Sequence, residues 1–256
     1  MDNKKSIIAI IILIIMVLGL SGYIVYDKFF KEKEETEYTN VVDDVSIDIN
    51  KLYKVGNILD RFDKAFNINE SKYFGYAYKF KTLDVKDFDK NAAIYVSIYN
   101  DLIKSNTEQR ISSARIKNRY EMIFGKTLAY TPNSIDITDN NKIAYDDTNK
   151  TYKYTVPITD NDHKPEYLVR NIKTKLKDDL VIITRKVFYV EYTDSKANIY
   201  TNSNKENLLG EVTLKNGEVS KEEVTGKYGS KIPTYDFTFK IGSDDEYNIY
   251  RIERTK

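Results

Sequence analysis

Apolar and polar positions divide the 256 residues into stretches with different rhythms. From Ile7 to Tyr26 there is no alternation at all: 20 residues pass without a charge, and eight of them are isoleucine. A helix of that length reaches about 30 Å, the thickness of a bilayer's hydrocarbon core. Its eleven Ile and Leu residues, at about −0.5 kcal/mol each, favour insertion by roughly 5 kcal/mol. The run predicts a transmembrane signal-anchor over 7–26. Ile7, Ile12 and Leu18 belong to its apolar body, and Tyr23 and Tyr26 suit the far interface, where aromatic rings prefer the headgroup zone.

A cleavable signal has a shorter apolar region and small residues at its processing site; Gly19-Leu20-Ser21 offers such a site, but Ile24 and Val25 still follow it. "LSGY" matches three positions of a lipoprotein signal, yet Tyr23 stands where the lipid-accepting cysteine is required, which excludes that chemistry. Residues 1–6, with Lys4 and Lys5, form a short tail expected inside the cell. Lys28, Lys31 and Lys33 nearly balance them on the other side. The expected location is the cell membrane, single-pass, with the C-terminal domain extracytoplasmic. Residues 27–46 mix acids and bases without apolar periodicity and read as a solvated stalk.

Beyond the stalk the apolar spacing becomes helical. Leu52, Val55, Leu59, Phe62 and Phe66 recur at 3-4-3-4 intervals, which predicts a helix over 50–67 capped by Asn50 or Asp48. Gly56 on it suggests a close approach. A second helix is predicted over 85–105, with Phe88, Ala92, Tyr95, Val96, Tyr99, Leu102 and Ile103 inward. A third covers 113–125, where Ile116, Tyr120, Ile123 and Phe124 share a face and Gly125 ends it.

From about residue 134 the period falls to 2. "TYKYTV" (151–156) alternates, and two strands meet at Asp178-Asp179. "ANIYT" (197–201) and the segment around Asn216-Gly217 add shorter strands. "TYDFTFKI-GSDD-EYNIYRIER" closes the chain as a hairpin, with Tyr235, Phe237, Phe239 and Ile241 on one face. Helices first and strands afterwards predict an α+β fold with a curved antiparallel sheet. Residues 47–130 would supply the helical part and 131–256 the β part of one extracytoplasmic domain. That order of elements loosely resembles cystatin-like and NTF2-like folds, which host both enzymes and non-enzymes, so no function follows from it.

Composition narrows the chemistry. There is no Cys and no Trp, and there is one His, so thiolate metal sites, cysteine nucleophiles and multi-histidine sites are excluded. Removing Asp2, Lys4 and Lys5 leaves 38 basic against 38 acidic residues. A neutral body lacks the footprint of a non-specific nucleic-acid binder. No cofactor is expected.

The candidate motifs each have a plainer reading. Gly125-Lys126-Thr127 ends like a phosphate-binding loop, but Tyr120 occupies the first glycine's place and the tripeptide closes a helix. His163 sits among Asp160, Asp162 and Pro165, which is turn chemistry; the stretch also starts like a calcium loop and then lacks its glycine and distal glutamate. The acidic pairs Asp43-Asp44, Asp146-Asp147, Asp178-Asp179 and Asp244-Asp245-Glu246 belong to turns, where carboxylates are solvated. Gly226 and Gly229 are spaced G-x-x-G without the context of a nucleic-acid clamp.

No catalytic constellation emerges. The expectation is a non-enzymatic binding or assembly module, held to the lipid bilayer and meeting a membrane-protein or envelope partner. The alternative is a cell-envelope hydrolase or transferase working with carboxylates or tyrosines. That activity would require a carboxyl group raised by its surroundings.

Overall fold

The computed structural model describes residues 49–99, 105–156, 164–242 and 245–256. The anchor run with Ile7, Ile12, Leu18, Tyr23 and Tyr26, the stalk, Asp43-Asp44, His163, Leu102, Ile103 and Asp244 lie outside them. Among the described residues no helix is long and apolar enough to cross a membrane.

The fold is β-rich. Eleven strands in two antiparallel sheets, with four helices, make up the described residues. This corrects the α+β expectation of three helices followed by one curved sheet, and with it the cystatin-like and NTF2-like order of elements. Strands lie among the helices: β1 (Thr82–Asp84) pairs with the last strand, β11 (Tyr247–Arg254), setting Leu83 opposite Ile252. β2 (Ser105–Ser112) pairs with β5 (Thr151–Val156) in a separate sheet completed by β4 (Lys142–Asp146) and β3 (Ile135–Asp136). The physical reason is that apolar period reports a strand's faces, not which distant segment its edge will find.

The large sheet turns on β7 (Leu180–Tyr192). One of its edges pairs with β6 (Glu166–Lys177) through the two-residue turn Asp178-Asp179. Its other edge is shared end to end: β10 (Thr234–Ile241) takes Leu180–Lys186, and β8 (Lys196–Tyr200) takes Tyr189–Tyr192. β9 (Leu208–Thr213) and β11 extend the two branches. Around Val187–Val190 the strand is buried on both faces, which its unbroken apolar run requires.

Two cores follow. Helix α1 (Ile49–Ala65) and helix α3 (Ser113–Phe124) pack on β11, and α3 also meets β2. Phe62 is the hub, with its ring 5.5–6.3 Å from those of Phe66, Phe88, Phe124 and Phe237. Each such ring fully withdrawn from water contributes roughly 1.5–3 kcal/mol. Helix α2 (Lys90–Tyr99) lies against α1, α3 and β3 and is buried from Ala92 to Ile98, all round its axis. It begins five residues later than expected because Asp89 Oδ1 accepts from the Ala92 amide. The second core lies on the other face of β7: Phe188, Val190, Ala197, Ile199 and Val212 are covered by Val224 of helix α4 (Lys221–Tyr228). Gly56 is exposed with open space around it, so no close approach explains it.

Candidate functional site

The sequence motifs are dispersed by the fold. Gly125-Lys126-Thr127 follows the last turn of α3, not a strand, and Gly125 caps the helix with φ 63° and an amide that donates to Glu121 O at 2.8 Å. Asp146 faces Lys153 at 2.5 Å and Asn149 in the β4–β5 turn. Asp178 and Asp179 are exposed, and Asp179 lies 3.4 Å from Lys240. Glu246 pairs with Lys54. Gly226 is inside α4 and Gly229 caps it. None of these acidic pairs meets another. Among the described residues no three His, Asp or Glu side chains gather as a metal would require.

The ionisable groups inside the protein hold it together. Arg185, 3 % exposed on β7, donates twice to Asp63 of α1, at 2.9 and 2.5 Å, and from Nε to Asn171 at 2.8 Å. Its guanidinium also sits 5.1 Å from the Phe237 ring centre. Tyr78 Oη donates to Asp63 at 3.3 Å, and burial holds that phenol well above its ordinary range. Every bond of this pair is turned inward.

Among the described residues several concave regions open to solvent, and two lie at the ends of the large sheet. A cleft of about 440 Å³ lies at the end of α3, lined by Gly125-Lys126-Thr127, Lys240-Ile241-Gly242 and Asn248-Ile249-Tyr250. Asn248, buried, donates from Nδ2 to Met122 O at 2.9 Å and to Glu121 O at 3.4 Å. It thereby satisfies the orphan carbonyls that every helix end leaves. Its polar lining is thus engaged in closing a helix.

The second is a groove of about 530 Å³ at the opposite end of the same sheet, lined by Tyr78, Lys79, Phe80, Lys81, Arg254, Thr255 and Lys256. The chain leaves the short 3-10 turn Tyr76–Tyr78 and runs into β1, so the Arg254 amide donates to Lys81 O at 2.8 Å. That bond sets Lys81 and Arg254 across from one another. On the far side Thr255 is held to Thr234 by a 2.8 Å amide bond, and Arg254 Nε donates to Lys256 O at 2.8 Å. The floor is aromatic: Tyr78 packs edge-on to Tyr235 at 5.5 Å, and Tyr235 Oη donates to Tyr78 O at 2.9 Å. Phe80, 38 % exposed, forms a wall braced by Tyr76 at 5.2 Å.

Four of the seven lining residues are cationic and none is acidic. Lys54, Lys64, Lys153, Lys196, Lys205 and Lys215 each reach a carboxylate. Among the described residues Lys79, Lys81, Arg254 and Lys256 meet no Asp or Glu side chain, although Arg254 Nε is engaged by Lys256 O. Next to the groove Lys186 is lowered by burial and by the charges of Arg170 and Lys256, a further sign of accumulated positive charge. Sequence reasoning missed this group because its members come from 79–81 and 254–256. The only local signals were the alternations "KFK" and "RTK".

Compared with known proteins, the chain matches no protein family, no curated sequence and no solved structure.

Proposed function

We infer that this protein is a single-pass, membrane-tethered binding module whose β-rich domain lies outside the cytoplasmic membrane and does no covalent chemistry. The tether rests on the uncharged run Ile7–Tyr26. The binding role rests on one observation, the basic groove between Tyr78–Lys81 and Arg254–Lys256, where among the described residues four cations gather and no Asp or Glu lines them.

Three carboxyls are displaced in the direction that does not suit the hydrolase or transferase reading. Arg251 beside Asp84, Lys153 beside Asp146 and Lys215 beside Glu223 hold those carboxyls below their ordinary range. A general acid needs the opposite displacement. Tyr73, Tyr95, Tyr120 and Tyr152 are all raised by burial, which suppresses phenolate and with it a tyrosine nucleophile.

The test is protease accessibility of a C-terminal tag in intact cells, with fractionation of the same cells. Removal of the tag while the remainder stays in the membrane fraction is the expected result. A tag protected until the membrane is opened overturns the reading.

A further inference from the structure

We propose that the groove at Lys79, Lys81, Arg254 and Lys256 binds a phosphate-bearing linear polymer; the inference rests on the binding role just given and adds its ligand.

The first support is an arrangement that works against the fold. Lys81 and Arg254 face one another across an antiparallel pair, where like charges are destabilising. Lys79 and Lys256 flank them, and all four side chains are exposed. An anion placed between them turns repulsion into attraction.

The second support is spacing. Arg254 and Lys256 are two residues apart on extended chain, about 6.6 Å. Lys79 and Lys81 bracket Phe80 on the facing segment. Charges strung out in this way match repeated anionic centres better than one small ion. The oxygens of a tetrahedral phosphate diverge, so one group can meet Lys81 and Arg254 from both sides at once. Phe80 and Tyr78 supply an apolar wall for the carbon portion of the repeat.

The third support concerns direction. Lys54, near the start of α1, pairs with Glu246 beside the β10–β11 turn, whereas Asp63, near its end, meets Arg185. Arg185 lies opposite Tyr235, and Tyr235 opposite Arg254. The chain therefore enters this domain at one end of β11, and the groove opens at the other, about 25 Å away along eight residues of strand. The start of α1 therefore lies away from the groove and does not cover it.

The test uses the full-length chain in neutral detergent, with nothing added after Lys256. Long-chain inorganic polyphosphate is the probe, and orthophosphate, polyglutamate and phosphatidylglycerol vesicles are compared at equal charge. Polyphosphate should bind tightest, with an affinity that falls steeply with salt, as counterion release demands. K81Q/R254Q should weaken it about tenfold or more and flatten the salt slope by about two, while K142Q, far away on β4, should change neither. Circular dichroism of each variant establishes that the fold is retained, and K79Q/K256Q repeats the test without touching the β1–β11 pair. Absence of polyphosphate binding overturns the proposal, as does equal loss in K142Q. Stronger binding to polyglutamate or to the vesicles overturns it in favour of those partners. A tag shaved from intact cells together with no polyphosphate binding removes the ligand and leaves the tether standing; a protected tag removes the tether whatever the groove binds.

Discussion

Arg185 and Asp63, 122 residues apart in sequence, meet through two parallel N–H···O bonds that tie α1 to the central strand β7. The two partners are unequally placed: Arg185 has a side-chain exposure of 4 %, and Asp63 of 31 %. Removing either one therefore leaves a different remainder. D63A strands a guanidinium in the interior and is expected to cost about 3–5 kcal/mol. R185M leaves a carboxylate that water can reach and fills the site with apolar volume, so it should cost clearly less. Denaturant titration followed by near-ultraviolet circular dichroism gives the order; equal losses would contradict the asymmetry.

Alkaline pH should unfold the protein in a definite window. Burial raises Tyr73 from the ordinary phenol value of 10.0 to about 12, and it also raises Tyr76, Tyr78, Tyr95 and Tyr130. The folded state keeps these protons where the unfolded chain has already lost them. Their contribution is complete below pH 10 and is lost as pH rises toward 12, because above 10 the unfolded state binds fewer protons. Phenolate absorbance should lag behind that of free tyrosine and then rise together with loss of structure. A smooth rise at pH 10, with the fold intact, would refute it.

The end of α3 is closed by the Gly125 backbone amide and by the side-chain amide of Asn248. Asn248 Nδ2 serves two helix carbonyls, and its Oδ1 lies 2.8 Å from where a Cβ on Gly125 would stand. N248A should cost about 1–3 kcal/mol by leaving the Met122 carbonyl unmet, while Glu121 O keeps the Gly125 amide. G125A should cost a similar amount, since its φ of 63° and the contact both resist a side chain. Thermal unfolding of the two single variants and their combination measures the coupling, and strict additivity would show that the two sites are independent.

Helix α4 is short and covers the smaller core, so its start is expected to matter. Ser220 Oγ accepts from the Glu223 amide at 3.2 Å. S220A should lower stability by about 1 kcal/mol and speed hydrogen exchange within Lys221–Tyr228 before the rest of the protein responds. Unchanged exchange there would mean that the cap is idle.

What the sequence made legible was local. The stripes of α1 and α3, the turn at Asp178-Asp179 and the last hairpin all declare themselves within about twenty residues, and the structure has each of them. Asn216 and Gly217 do form a tight turn at positive φ, but only one bridge, Lys215 with Glu218, flanks it. Helix α4 was missed because "KEEVTGKY" has no apolar stripe, although Ser220 and Glu223 stand at capping-box spacing. Helix α2 starts later than its pattern predicts because a helix buried on every side has no stripe to mark where it begins. The division into two sheets depends on pairings such as Leu83 with Ile252, and nothing near either residue announces the other. The candidate groove is illegible for the same reason, being assembled by that pairing.

The β1–β11 pairing also bears on the order of events during synthesis. A ribosome delivers α1, α3 and β1 early, yet the strand on which all three rest follows every other described element. Until then Phe62, Phe124 and Leu83 have no lasting cover, and the nascent chain carries their apolar faces unprotected. Loop closure over so many residues is slow compared with local pairing. A chain threaded through a membrane would pass unfolded by default, and a truncated product lacking the last strand would be a ready substrate for quality-control proteolysis.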